Sequence, residues 1–390
     1  MKKILDTLAM IILLTTACGP TAPVATPTLA EPTLPAATPT PLPPTETPTL
    51  APTPTPSYPP EGYGPSNFPA DVDPLTGLKV ANPALLERRP LAVKISNLPR
   101  YVRPQWGLSL ADLVFEYYTE EGTTRFTAVF YGQDAEVVGP IRSARFFDAN
   151  IIRGYKAVFA FGSAYEKVFQ RLFNAEYADR LVVESPSSPL RRYDPGGYNH
   201  LVVDTAELSA YITKKGIPNG RQNLDGMFFQ LQPPVGGQPA EHAYVRYSGA
   251  IYNHWDYDAT SGKYLRFSEI ENDVNNAPNE KYAQLTDRLT GQPIAFDNVV
   301  VLLVTHEYYN RSPEVVDMLF SGSGVAYAFR DGQVYPVQWQ RQAADSVVSL
   351  TTEDGKPFPF KPGTTWFEVM GINSQVKQDD QGWKFVFLIP

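Results

Sequence analysis

The chain has 390 residues, 43% of them hydrophobic and 12% aromatic, enough to bury a large core and, at roughly 100 to 200 residues per domain, to build about two domains. Its 33 Lys and Arg stand against 41 Asp and Glu for a formal charge of -8, so no basic field is available to hold a phosphate backbone and nucleic acid is excluded as a partner. The lone cysteine, Cys18, leaves the folded part without disulfides, thiolate metal sites or a cysteine nucleophile.

Residues 1–18 read as a lipoprotein signal peptide. Lys2 and Lys3 give a positive start, Leu8 to Leu14 is wholly apolar, and Thr15-Thr16-Ala17 brings small residues up to Cys18, the expected lipidation site. The apolar run is shorter than the about 20 residues a membrane span needs, so the chain is expected outside the cytoplasm, held to the membrane through an acyl anchor such as palmitate. Residues 19–70 form a Thr/Pro-rich linker, with repeats such as Thr38-Pro39-Thr40-Pro41. It is expected to be disordered, in the extended polyproline II sense, and composition also suits O-glycosylation.

A folded α/β domain is expected over residues 71–230. Leu91 to Ser96 alternates as a strand, and Leu113 to Tyr118 and Arg125 to Phe130 alternate as a hairpin. A two-residue turn at Glu121-Gly122 sets Tyr118 opposite Arg125, which puts Glu116 and Arg125 on one face as a cross-strand pair, solvated or functional. Pro140 and Ser143 then start a helix whose first turn carries Arg142 and Arg145. Two cations at a helix N-terminus oppose its dipole, so an anion or a carboxylate is expected beside them. A strand from Ala157 to Phe161 runs through Gly162-Ser163 into a second helix. That junction is open to two readings, a packing turn or a place where a ligand approaches backbone amides.

Gln232 to Pro239 reads as a hinge. Beyond it, residues 241–390 are expected to be mostly β, a sandwich or barrel-like sheet. Strands flank turn signals at Ser261-Gly262, Asp331-Gly332 and Asp354-Gly355, and the apolar run Asn298 to Thr305 is expected as a central strand. The fold class is therefore α+β, an N-terminal α/β domain with a β-hairpin followed by a mostly-β C-terminal domain.

Several motifs occur in a fixed order: Asp73-Pro74-Leu75-Thr76-Gly77-Leu78, Arg103-Pro104-Gln105-Trp106-Gly107-Leu108-Ser109, Ala111-Asp112-Leu113-Val114-Phe115-Glu116, Thr124-Arg125-Phe126, Gly139 to Arg145, Gly322 to Tyr327 and Lys361 to Trp366. Together they resemble the YerB-like lipoprotein family, carriers of the domain of unknown function 3048. The resemblance implies an envelope lipoprotein with an N-terminal and a C-terminal domain, and it brings no reaction and no catalytic residues.

The four histidines, His200, His242, His254 and His306, have no metal-ligand spacing, and neither a metal nor another cofactor is expected. No nucleophile elbow, S-x-x-K pair or phosphate loop occurs. Two functions remain. One is a non-catalytic binding or scaffolding module for an anionic cell-wall polymer or an envelope protein, with Arg142 and Arg145 on the anion, Ser143, Gly162 and Ser163 lining the pocket, and Arg125 and Glu116 at its rim. The other is a cell-wall hydrolase working on peptidoglycan through Glu116, Glu120 or Glu121, with Asp194 and His200.

Overall fold

A computed structural model describes residues 58–197, 200–273 and 280–389. The signal segment, Cys18 and most of the Thr/Pro-rich stretch lie outside the described residues. The expected linker ended at residue 70, but the chain is already folded from Tyr58 onward. Aromatic residues explain the earlier start: Tyr58 packs edge-on to Tyr63 at 5.1 Å, Phe68 lies against Phe229 at 6.4 Å, and Tyr63 exchanges backbone hydrogen bonds with Phe229.

The architecture is α+β, with few helices and a strand-rich C-terminal part. In the N-terminal half the strands are β1 (Leu91–Ser96), β2 (Leu113–Tyr118), β3 (Thr124–Phe130), β4 (Val158–Ala160) and β5 (Leu181–Val182), with helices α1 (Asp148–Gly154), α2 (Glu166–Phe173) and α3 (Thr205–Lys214). β3 lies between β2 and β1 as an antiparallel neighbour of both, and β4 and β5 continue the sheet in parallel beyond β1.

The sheet does not stop at β2. Thr365–Gly371, from the other end of the chain, pairs in parallel with β2 on one side and with Asn298–Arg311 on the other. Gly322–Arg330, Gln333–Arg341 and Ser349–Thr351 follow, so that, among the described residues, twelve strands from both halves form one sheet. The two regions expected as separate domains share this sheet. The expected hinge is pinned as well: Gln238–Pro239 pairs with Gln333–Arg341, and Arg330 donates to the carbonyls of Gln230 and Leu231. A buried guanidinium on the carbonyls just before that segment, the Tyr335 hydroxyl donating to the Pro234 carbonyl within it and the strand pair at its end tie down the chain that its Pro/Gly content had suggested was free.

A second, smaller sheet is built from His242–Arg246, Tyr252–Asp258, Lys263–Glu269, Gly382–Val386 and shorter strands. It packs on one face of the large sheet, where Trp366 meets Phe126 at 5.0 Å, Trp255 at 5.2 Å and Phe296 at 5.3 Å. Helix α1 covers the opposite face, where Phe115 stacks on Phe367 at 4.5 Å and touches Phe147 and Tyr155. β2 is buried along its whole length, as a strand covered on both sides must be. Asp331-Gly332, with φ of 53° and 71°, makes the two-residue turn its sequence predicts.

Trp366 is fully buried among three aromatic rings from both sheets. Trp366→Ala is therefore expected to lower the unfolding free energy by roughly 3–5 kcal/mol, read from urea denaturation; a loss under about 1 kcal/mol contradicts this packing.

Candidate functional site

The site begins at the β2–β3 turn. Thr119 and Thr123 close it, with the Thr119 amide donating to the Thr123 carbonyl at 2.9 Å and their hydroxyls 2.8 Å apart. Glu121 and Gly122 both have positive φ, 50° and 75°, a backbone that favours glycine. The loop thus holds three residues, 120–122, rather than two, and the register moves by one: Tyr118 faces Thr124, Tyr117 faces Arg125 and Glu116 faces Phe126. Because side chains alternate, one added residue reverses every facing. Glu116 and Arg125 are on opposite faces of the sheet, and the expected cross-strand pair does not form.

On the helix side, Arg125 donates to Glu120 Oε1 at 3.0 Å and to the Ser143 carbonyl at 2.8 Å. Arg145 grips the same carboxylate, donating from Nε to Oε2 at 2.5 Å and from its terminal nitrogen to Oε1. Burial alone would raise the Glu120 pKa, but the hydrogen bond and charge of Arg145, with Arg125, outweigh it and hold the carboxyl below its usual range. Arg125 itself is pushed down to about 9, by burial first and then by the cations of Arg145 and Arg142, against the pull of Glu120.

The segment carrying Arg142 and Arg145 is extended, not helical. The Arg142 amide donates to the Lys94 carbonyl at 2.9 Å, its carbonyl accepts from Gly162, and the Ala144 amide donates to Ser163. Helix α1 starts later, at Asp148, whose carboxylate accepts the Arg145 amide at 2.6 Å. The clash between two cations and a helix dipole therefore does not arise. Backbone pairing on both sides keeps the segment extended, which turn residues alone did not reveal.

Beneath it lies a buried cluster. Asp148 Oδ1 accepts from Thr127 at 2.7 Å and from the Tyr117 hydroxyl, and Lys94 Nζ is 3.4 Å away. Burial pushes Lys94 down to about 7 against the attraction of Asp148, with Arg125 and Arg145 adding to the push.

Three cavities surround these groups. The largest, about 460 Å³, is lined by Arg100, Arg125, Arg142, Glu120, Glu121 and Thr123 among others. A smaller one, about 130 Å³, lies on the other side of Arg142 and is lined by Ser143, Gly162 and Ser163, with Glu184 and Arg192. A third, about 320 Å³, lies beside Arg145, Tyr165 and Glu314. Four expected residues, Arg142, Ser143, Gly162 and Ser163, thus share one cavity, Arg142 and Arg125 share another, and Arg145 turns to the third. Gly162 has ordinary clearance: a Cβ there would meet its nearest neighbour at 3.6 Å.

Glu116 lines none of them. It is fully buried between the sheets, bonded to Arg266 at 2.7 Å and to Thr124 at 2.7 Å. Arg266 also donates to Glu368 at 3.0 Å, and Glu368 accepts from Trp255 and Tyr247, both at 3.0 Å. Arg266 and Glu368 escaped the sequence reading, as did Lys94 and Arg100. For Lys94 and Glu368 the signal was there, a single charge inside an otherwise apolar strand; Arg266 shares its strand with Lys263 and Glu269 and does not stand out. Asp194 and His200, 3.1 Å apart, line none of the three cavities. Among the described residues no three His, Cys, Asp or Glu side chains are placed to hold a metal.

Residues 75–218 match the N-terminal domain, and residues 243–367 the C-terminal domain, described as "Protein of unknown function (DUF3048)". A Bacillus subtilis (strain 168) protein named "Putative lipoprotein YerB" is 30% identical over 309 residues, 76% of this chain and 85% of that one. The chain belongs to the DUF3048 family. The crystal structure of YerB protein from Bacillus subtilis aligns with a TM-score of 0.64 at 26% identity, covering 77% of this chain and 96% of that one. The residues lining the arginine cleft all fall in the N-terminal DUF3048 region, and the C-terminal one supplies Pro313, Glu314 and Val315 to the cavity beside Arg145.

Burial, then the neighbouring Glu116 charge, raise Glu368 to about 7 despite Arg266, Trp255 and Tyr247. A carboxyl with a higher pKa folded than unfolded takes up a proton on folding, so its contribution is complete below the ordinary Glu range and is lost as pH rises through about 7. Urea unfolding followed from pH ~4.5 to ~7.5 should show a shallower loss of stability in Glu368→Gln than in the parent; equal slopes would exclude this assignment. Arg266→Met, which leaves both carboxylates without their cation, is expected to cost roughly 3–5 kcal/mol.

Proposed function

We propose that the chain is the extracytoplasmic binding module of a lipoprotein anchored through an acylated Cys18, and that the cleft lined by Arg100, Arg125 and Arg142 holds an anionic group of a cell-wall polymer. The observation that carries this reading is the charge in a single cleft of about 460 Å³. Three guanidiniums line it against Glu120 and Glu121, and Glu120 is already shared with Arg145. A planar guanidinium presents paired N–H donors that fit the oxygens of a carboxylate or phosphate. Thr123 and Thr124 add hydroxyls to the same wall. The smaller cavity behind Arg142, with Ser143 and Ser163, extends the polar surface that a polymer could follow.

The anchor reading draws on two supports. The small residues before Cys18 form a lipidation pattern after an apolar run, and the Bacillus subtilis relative carries the word lipoprotein in its name. A hydrolase has less support. Glu116 lies in the core on Arg266, and Glu120, held ionised by two guanidiniums, is a poor proton donor or acceptor.

The binding reading is tested with purified anionic wall polymer. Arg125→Gln combined with Arg142→Gln should weaken binding roughly 10- to 100-fold, the loss expected for charge-assisted hydrogen bonds, and should flatten its dependence on salt. Unchanged affinity in a double variant with the parent's circular dichroism would refute the site, and tight binding of an uncharged wall fraction or of an envelope protein alone would refute the ligand class. Cys18→Ala is expected to move the protein from the membrane fraction to the medium; a variant that stays with the membrane removes the anchor from the proposal.

A further inference from the structure

The arginine cleft is lined from the N-terminal DUF3048 region but held in shape from the C-terminal one. Residues 248–251, the turn joining His242–Arg246 to Tyr252–Asp258, make the first contact. The Ser248 hydroxyl accepts from the amides of Ala250 and Ile251 at 3.0 and 3.1 Å and donates to the Gly122 carbonyl at 2.6 Å. Two residues on, the Ala250 carbonyl accepts from Arg100 at 2.8 Å. One short turn therefore ties down Arg100 and the β2–β3 turn, two separate parts of the cleft wall.

Glu314, at the tip of the hairpin formed by Asn298–Arg311 and Glu314–Leu319, makes the second contact. It lines the cavity beside Arg145 but not the arginine cleft. Its Oε2 accepts from the Glu121 amide at 2.7 Å and its Oε1 from the Tyr118 hydroxyl at 2.9 Å, whose oxygen in turn accepts from the Gly122 amide at 3.0 Å. The hairpin is itself fastened, by Asp317 to Arg171 of α2 at 2.5 Å and by Tyr309 to Phe146 at 4.9 Å. Glu121 has a φ of 50°, a conformation that a residue with a side chain keeps only where its surroundings impose it. Thr119 and Thr123 close the turn at its base, and Glu314, Tyr118 and Ser248 impose the shape of its tip. That tip carries Glu120, the carboxylate on which Arg125 and Arg145 are oriented.

We infer that Glu314 is a positioning residue of the anion cleft: from the C-terminal region it sets the turn at 120–122, and through Glu120 it sets Arg125, without touching the ligand. This inference rests on the anion-cleft reading above and adds the part of the chain that keeps the site ready. Its sign separates it from plain electrostatics. Glu314 is an acid close to the arginines, so by charge alone its removal strengthens the binding of an anion. As a positioning residue its removal weakens binding, because the turn must then be ordered at the moment of association.

Glu314→Ala and Glu314→Gln, titrated with purified anionic wall polymer beside the parent protein, test it. Glutamine can offer its oxygen to the Glu121 amide and its nitrogen to the Tyr118 oxygen, so it keeps the turn while losing the charge. The expected result is binding weakened roughly 5- to 10-fold by Glu314→Ala and changed less than about twofold by Glu314→Gln, with faster amide exchange at Glu121 and Gly122 in the alanine variant alone. Binding in Glu314→Ala as tight as the parent's, or tighter, overturns the positioning role and leaves the anion cleft standing. Equal weakening in the two variants overturns it as well, since charge rather than the turn would then be the cause. Tyr118→Phe keeps the ring stacked on Phe387 and removes only the hydroxyl. It decides the matter if Glu314→Ala does not fold: a loss of roughly twofold or more is expected, and unchanged affinity overturns the inference. A parent protein that binds no anionic polymer removes the anion cleft itself, and the positioning role with it.

Discussion

Arg266 is the contact on which the two sheets depend. Glu116 and Glu368 sit directly opposite each other on neighbouring parallel strands and point to the same face, where two carboxylates in a dry interior repel strongly. The guanidinium from the second sheet bonds to both and lies over the Trp366 ring at 4.5 Å. Tyr247 and Trp255 donate the remaining hydrogen bonds to Glu368. The network is almost fully satisfied, the condition under which a buried polar group specifies one arrangement rather than weakening it. The cation that lies between β2 and Thr365–Gly371 comes from the second sheet, so the packing of two layers supports the pairing within one.

The same arrangement shapes the surface. β3 sends Thr124 towards Arg266 and Glu116, and Arg125 towards α1, so the strand's end presents one residue from each face. Glu120, at the tip of the hairpin, gathers Arg125 and Arg145 and fixes the edge of the cleft. Asn97 connects the cleft to the core. It donates to Glu116 and Thr124 and accepts from Arg103 at 2.6 Å, and Arg103 in turn holds Glu269. A continuous polar path therefore runs from the buried triad to Glu269, and the positions of the outer arginines follow from the inner carboxylates.

Much of the fold was legible. Alternation around Ser261-Gly262 and Asp331-Gly332 marked two hairpins because the turn chemistry and the strand period agreed, and the apolar run after Asn298 marked a strand covered on both faces. Ordered motifs marked the family. The site was legible by residue type but not by geometry. Arg125, Arg142, Ser143, Gly162 and Ser163 do lie together, yet the reason given for Arg142 and Arg145, a helix start, was wrong because backbone partners distant in sequence keep that segment extended. The turn at 120–122 shows how little it takes: one residue more than expected, and Glu116 passed from a rim to the core. Lys94 and Glu368 read as interruptions in apolar strands and Arg266 as one charge among several, and only their partners, drawn from distant parts of the chain, give them meaning.

The placement of Thr365–Gly371 also bears on the order of events as the protein is made. This strand is central in space but late in the chain, and β2, its partner, emerges some 250 residues before it. Until it arrives, the newborn N-terminal half presents an apolar, unpaired strand edge, the sort of surface that joins to other chains. A polypeptide with this topology has to be kept apart from its copies while it is being made, and its fold closes only when nearly all of it has emerged.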